Sequence, residues 1–193
     1  MQDFNSALYS PLVSIMETIF IVAFIFSCIL VWYLYKNKIN YLITALPLFV
    51  LASHQLEEYI LSPLMFGDKY HFLEWAFRSG VNISPVEVTT INSVPYLLLP
   101  LLFLLKPSTK IFSILFLFNS SLLLSNGMFH IGLATAQTDY SPGMITSLFM
   151  YIPLYIKSLY LASERSLPMK AQIAITIYGS IAHFLMIWLV NIF

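Results

Sequence analysis

The sequence predicts an all-α protein, a polytopic membrane helix bundle of about six transmembrane helices that forms a single domain over residues 1–193. Three observations predict it. Only 9% of residues are charged, against about 25% in a soluble domain. Hydrophobic residues make up 59% of the chain, and the mean hydropathy is +0.82. Most of them fall in runs long enough to cross a bilayer, about 20 residues each. Little chain remains for a soluble domain, and a net charge of zero gives no basis for a nucleic-acid partner.

The runs follow in order. The first spans roughly 11–35, opened by Pro11. It is too long for a signal-peptide core, and residues 1–10 carry no positive charge, so it reads as a retained helix. Its Cys28 is the only cysteine and makes no intrachain disulfide. The second spans roughly 40–66 and holds His54-Gln55-Leu56-Glu57-Glu58-Tyr59. The segment 67–85 is the one long connection. There Tyr70, Phe72, Leu73, Trp75 and Phe77 alternate with Lys69, His71, Glu74 and Arg78, which suits an interfacial segment with His71 as a surface histidine. The remaining runs are roughly 86–105, 110–137, 142–162 and 170–193. Pro142 and Pro168 mark starts or the breaks before them. Pro47, Pro95, Pro100 and Pro153 lie inside helices, where neighbours in a bundle accommodate a kink.

Charge placement predicts orientation. Lys36, Lys38, Lys106, Lys110, Arg165 and Lys170 fall on one side, Lys69 and Arg78 on the other. The positive-inside rule puts the first group in the cytoplasm and both termini on the non-cytoplasmic side.

The polar residues inside the runs are the functional signal. A charged carboxylate in hydrocarbon costs roughly 2.5–3.5 kcal/mol on insertion scales. His54, Glu57 and Glu58 stand at i, i+3 and i+4, one face of a helix. At 1.5 Å per residue, His54 lies about 18 Å from the outer end of its helix, Glu57 and Glu58 about 12–13 Å, and Glu17 about 9 Å. Asn126 and His183 lie about 15 Å in, and His130 about 9 Å. All fall in the outer half of the bilayer, which predicts one shared site.

Each residue also has a plainer reading. The second-helix trio reads as a neutralised hydrogen-bonded cluster or an ion pair. Asn126 and His130, again i and i+4, read as hydrogen-bonding glue between helices. His183 reads as a satisfied core histidine, and Glu17 as a protonated or water-exposed carboxylate near the interface. Tyr140-Ser141-Pro142-Gly143 reads as an anchoring tyrosine and a helix start, with Gly143 allowing close backbone approach. The alternative is that Tyr140 reaches the pocket as a proton donor.

With its His-x-x-Glu-Glu segment at His54–Glu58, the segment from Asn126 to His130, and Tyr140-Ser141-Pro142-Gly143 in that order, the chain resembles the HXXEE family of integral membrane proteins. The resemblance implies a small multi-pass membrane protein and, as commonly inferred from the motif, a metal-dependent membrane enzyme. It carries over to His54, Glu57, Glu58, His130, Tyr140, Pro142 and Gly143. Glu17, Asn126 and His183 rest on depth.

The leading expectation is a metal-dependent intramembrane hydrolase acting on a lipid or another apolar small molecule. His54, Glu58, His130 and His183 would hold a divalent metal, zinc favoured over iron or manganese. Glu57 would accept the proton of an activated water, and Tyr140 or Asn126 would polarise the substrate. The assignment within the Glu pair follows from spacing, since Glu58 shares the i, i+4 row with His54. Glu17 would partner a histidine or, in a two-metal variant, become a ligand. Two other readings stand beside it. One is a proton-coupled small transporter, for which a homodimer would supply the half that six helices lack. The other is a non-catalytic membrane subunit.

Overall fold

The computed structural model describes residues 11–81 and 83–190, and among them there is no strand. Seven helices carry the fold: α1 (Pro11–Asn37), α2 (Ile39–Phe66), α3 (Phe72–Arg78), α4 (Pro85–Phe103), α5 (Lys110–Gln137), α6 (Met144–Glu164) and α7 (Met169–Val190). Five of them, α1, α2, α5, α6 and α7, are long and apolar enough to cross a membrane, as a multi-pass membrane protein requires. The third expected run forms α4, whose 19 residues give about 28 Å of helix. Glu87, Thr89, Thr90 and Asn92 make its first half more polar than the other five. A capping box starts it, with Ser84 accepting from the Glu87 N–H and Glu87 accepting from the Ser84 N–H. Both chain ends, residues 1–10 and 191–193, lie outside the described residues, so the expected placement of the termini does too.

The long helix α5 is central. It packs against α7, α6, α4 and α2, while α1 lies along α2. One apolar cluster, including Leu51, Leu99, Leu102, Phe116 and Leu154, fills the space between α2, α4, α5 and α6. A second, including Met16, Phe20, Tyr59, Phe72, Trp75 and Val88, joins α1, α2, α3 and α4. Phe72, Leu73 and Trp75 of α3 turn into the protein, with Trp75 1% exposed, while Phe77 stays exposed. A seven-residue helix can bury that stripe because its charged residues, Glu74 and Arg78, share the opposite side and pair at i, i+4.

Two helices contain a π-helical turn, Glu57–Leu61 in α2 and Ser147–Tyr151 in α6. The Ser62 N–H bonds the Glu57 carbonyl, and the Ile152 N–H bonds the Ser147 carbonyl, five residues back in each case. A proline follows each turn at the same offset, Pro63 and Pro153. Proline offers no N–H to the carbonyl four residues earlier, so the ladder shifts by one residue just ahead of it. Such turns recur at functional sites, and both border the polar cluster.

Candidate metal centre

Three helices, α2, α5 and α6, and the turn before α6 build the site. The π-helical turn of α2 begins at Glu57, so the two glutamates leave the helix in different directions. α5 brings Asn126 and His130. The start of α6 lies across them, allowed there by two glycines. Gly143 adopts φ +87°, and a Cβ on it would stand 2.6 Å from His54 Cε1 and 3.0 Å from Glu58 Cγ. Gly127 lets α6 approach α5, since a Cβ there would meet Tyr151 Cδ2 at 2.8 Å and Ser147 Cβ at 3.0 Å.

His54 and Glu58 hold the i, i+4 row that the spacing predicts. His54 Nε2 is 3.3 Å from Glu58 Oε1, and His130 Nε2 is 2.9 Å from the same oxygen. The two imidazoles meet edge to face with centroids 4.9 Å apart. All three residues are buried, His54 completely. One ligand atom from each lies within 4.8 Å of the others, and this trio could hold a metal ion. The His54–Glu58 separation equals the edge of about 3.3 Å expected of N and O ligands placed tetrahedrally at zinc bond lengths of about 2.0–2.1 Å, and the His130–Glu58 separation is shorter.

The far sides of the rings say which nitrogen carries the proton. The Thr146 hydroxyl donates to the Gly143 carbonyl at 3.1 Å, so it accepts from His54 Nδ1–H at 2.8 Å. His54 Nε2 then presents a lone pair, which also receives the Asn126 amide N–H at 3.0 Å. His130 Nδ1 is 3.3 Å from Ser141 Oγ, whose own hydroxyl reaches the Pro142 carbonyl at 3.5 Å. With that assignment the His130 Nε2 lone pair also faces Glu58 Oε1. Two lone pairs and a carboxylate oxygen converge on one point. A single proton satisfies one of the two contacts, whereas a cation satisfies all three. Ring nitrogens fixed through their outer N–H are also how metal-binding histidines are oriented. The donor set thus fits a divalent metal.

Glu57 takes a different place from the one expected. Its Oε1 accepts from the Tyr140 hydroxyl at 2.7 Å and the Ile145 N–H at 3.0 Å, and its Oε2 from the Thr146 N–H at 2.7 Å. Those two amides are among the unpaired donors at the start of α6. Glu57 therefore caps a helix from outside, where the helix dipole favours an anion. The phenol spends its proton on Glu57, so Ser62 donates to the Tyr140 oxygen at 2.8 Å. Burial holds the Tyr140 phenol above the usual tyrosine range, which keeps it a donor. Tyr140 thus reaches Glu57 rather than the His54 group.

Four further expectations change. Pro142 precedes α6 in a turn instead of opening it, because the left-handed Gly143 stands between them and α6 starts at Met144. Glu17 belongs to another contact, with its Oε1 3.2 Å from His71 Nε2. His71 itself is 5% exposed rather than a surface residue, and burial pushes its imidazole down to about 4. His183 is buried but stands outside the trio. It lines a cavity of about 100 Å³ that Glu58 and Asn126 also border.

Sequence reasoning passed over Thr146, Ser141, Ser62 and Tyr151. The last stacks on His54 with centroids 4.6 Å apart. Thr146 and Ser141 both lie within six residues of Tyr140, so the Tyr-x-Pro-Gly segment was the signal available for them. No curated protein and no solved structure shows significant similarity to the chain. Residues 45–158 match the family described as "Protein of unknown function with HXXEE motif". That stretch covers more than half of the chain and holds the whole trio as well as Glu57, Asn126 and Gly143, and the chain belongs to the HXXEE family.

Proposed function

We propose that the protein is a metal-dependent intramembrane hydrolase that acts on a lipid or another apolar substrate. The observation that carries the reading is the meeting of two imidazole lone pairs and a carboxylate oxygen at His54, His130 and Glu58. Two histidines and one carboxylate leave a fourth position open, the donor set of a catalytic zinc site, and imidazole with carboxylate favours zinc over the harder manganese. Bound there, zinc would supply a Lewis acid and an activated water.

The remaining roles belong to side chains. Thr146 and Ser141 hold the two imidazoles in their tautomers. Asn126, released from His54 when that lone pair goes to a metal, has its N–H free for a substrate carbonyl in the bordering cavity. Glu57 positions the start of α6, and with it Thr146 and Gly143, against His54. In this reading Glu57 serves the scaffold, and proton transfer falls to other groups. The bias of Lys and Arg supports an orientation with loops 36–41, 104–109 and 165–168 in the cytoplasm and both termini outside. The site then opens toward the outer leaflet, from which an apolar substrate would enter.

Elemental analysis of the purified protein tests the reading. Near-stoichiometric zinc is expected in the wild type, with loss in His54→Ala and His130→Ala. Protein that stays metal-free after incubation with zinc, and binds none in titration, removes the hydrolase reading and puts a proton-relay transporter in its place.

A further inference from the structure

We infer that the cavity between α2, α4, α5 and α7 receives the acyl end of a carboxylic ester or amide, and that His183 binds the polar atom of that ligand. The inference rests on the metal-centre reading and names the substrate class for it. The cavity encloses about 100 Å³ and has two kinds of wall. Val88, Ile91 and Phe129 are among the apolar residues that make most of it, while Glu58, Asn92, Asn126 and His183 are its polar residues. Glu58 is a member of the metal-holding trio, so a ligand in this cavity has one end at the centre.

The placement of His183 follows from the packing of its helix. Gly179 lets α7 approach α5 closely. A Cβ on it would stand 2.7 Å from Ser121 Cβ and 2.8 Å from the Phe118 carbonyl oxygen. The Ser125 hydroxyl then reaches Ser180 Oγ at 2.8 Å. His183 lies one turn further along, and α5, running parallel to α7, presents Asn126 and Phe129 at that level. His183 is 2% exposed, and its Nε2 has no hydrogen-bond partner among the described residues. A buried ring nitrogen without a partner is costly. A wholly hydrocarbon ligand would leave it so, whereas an ester or amide oxygen pairs with it.

Size sets the rest of the ligand class. An apolar cavity of about 150 Å³ holds benzene, so this one takes about four carbons. It does not hold a complete lipid chain. The occupant is a short acyl group, or the carbonyl end of a longer molecule whose remainder lies outside the cavity.

Straight-chain hydroxamates of two to ten carbons test this, measured by isothermal titration calorimetry on zinc-loaded protein in detergent. The hydroxamate group binds the metal, and its chain reports on the cavity. Affinity is expected to rise about fourfold per methylene up to about four carbons and then to level or fall. Val88→Phe, or Ile91→Phe if the first variant does not fold, should move that break to two carbons and weaken the four-carbon ligand at least tenfold. His183→Leu should weaken every length about tenfold with metal content unchanged, and His183→Gln should recover part of the loss. A flat chain-length series, or one that Val88→Phe and Ile91→Phe leave unaltered, overturns the cavity assignment and leaves the metal centre standing. Metal loss in His183→Leu makes His183 a ligand and overturns its role as substrate group. Absence of both zinc and hydroxamate binding removes this inference together with the reading beneath it.

Discussion

Replacing Glu57 by glutamine separates two roles that the residues alone cannot tell apart. As a proton acceptor, Glu57 would be lost to catalysis on becoming an amide, while fold and metal stayed as they were. As the external cap of α6, it accepts three hydrogen bonds, two at Oε1 and one at Oε2. Glutamine keeps one acceptor. Its best placement leaves the oxygen with Tyr140 and Ile145 and turns its NH₂ onto the Thr146 N–H. That amide loses its partner, which costs about 1–3 kcal/mol. The anion at the helix start also disappears, which costs up to about 2 kcal/mol in a partly buried setting. Together the loss is about 2–4 kcal/mol. For a chain of this size, 1 kcal/mol moves the midpoint by about 2–4 °C, so melting in detergent should fall by roughly 5–15 °C. Metal affinity should weaken with it, because Thr146 anchors His54. A Glu57→Gln protein that melts within about 2 °C of wild type, holds full metal and has lost turnover would refute the capping role and restore Glu57 as the base.

Other outcomes follow from the same geometry. Thr146→Val removes the acceptor of His54 Nδ1–H, and zinc affinity measured by competition with a chelator should drop roughly 10–100-fold, as for other partners of metal-bound histidines. Unchanged affinity would mean that the tautomer is set elsewhere. Gly143→Ala adds a methyl 2.6 Å from His54 Cε1 at φ +87°. It should destabilise by about 1–3 kcal/mol and reduce metal content, and a stable, fully loaded variant would show that α6 does not press on the trio. His71 predicts a pH effect. Its folded imidazole is held near 4, below the unfolded value of about 6.5, so the unfolded chain binds the extra proton first. Stability should therefore fall as pH drops from about 6.5 toward 4, by up to about 3 kcal/mol. His71→Phe should flatten the difference between melts at pH 7 and pH 5, whereas equal slopes in both proteins would assign it to other groups.

The apolar runs and the His54–Glu58 pair on one helix were legible because both depend on local chain geometry. An apolar run of given length crosses a bilayer whatever surrounds it, and i, i+4 neighbours share a face in any helix. Depth along each helix is a local count too, and it grouped His130 with His54, whose Nε2 atoms both face Glu58 Oε1. Depth gives height but neither azimuth nor neighbour. Glu17 lies at a suitable height, yet its side chain meets His71, and His183 turns to the cavity beside the trio. The role of Glu57 was hidden for a related reason. Two of its three partners are backbone amides some ninety residues away, and amides leave no mark in a sequence. His71 was misread because it stands just before a seven-residue helix that has too few turns for its buried side to show as a period.

The two π-helical turns have a consequence for insertions and deletions. Each turn contains one residue more than an α-helix would use over the same rise, so the chain beyond it is rotated by about 100° relative to a continuous helix. In α2 the turn separates His54 from Ser62, the residue that donates to Tyr140. In α6 it separates Thr146 from the face bearing Leu154 and Ser158, both buried. Removing one residue from either turn would restore regular helix. It would also swing one half of that helix out of register with the other, so that either the cluster or the packing of the opposite half could keep its place, but not both. The length of each turn is therefore constrained as tightly as the identity of the residues that ring the centre.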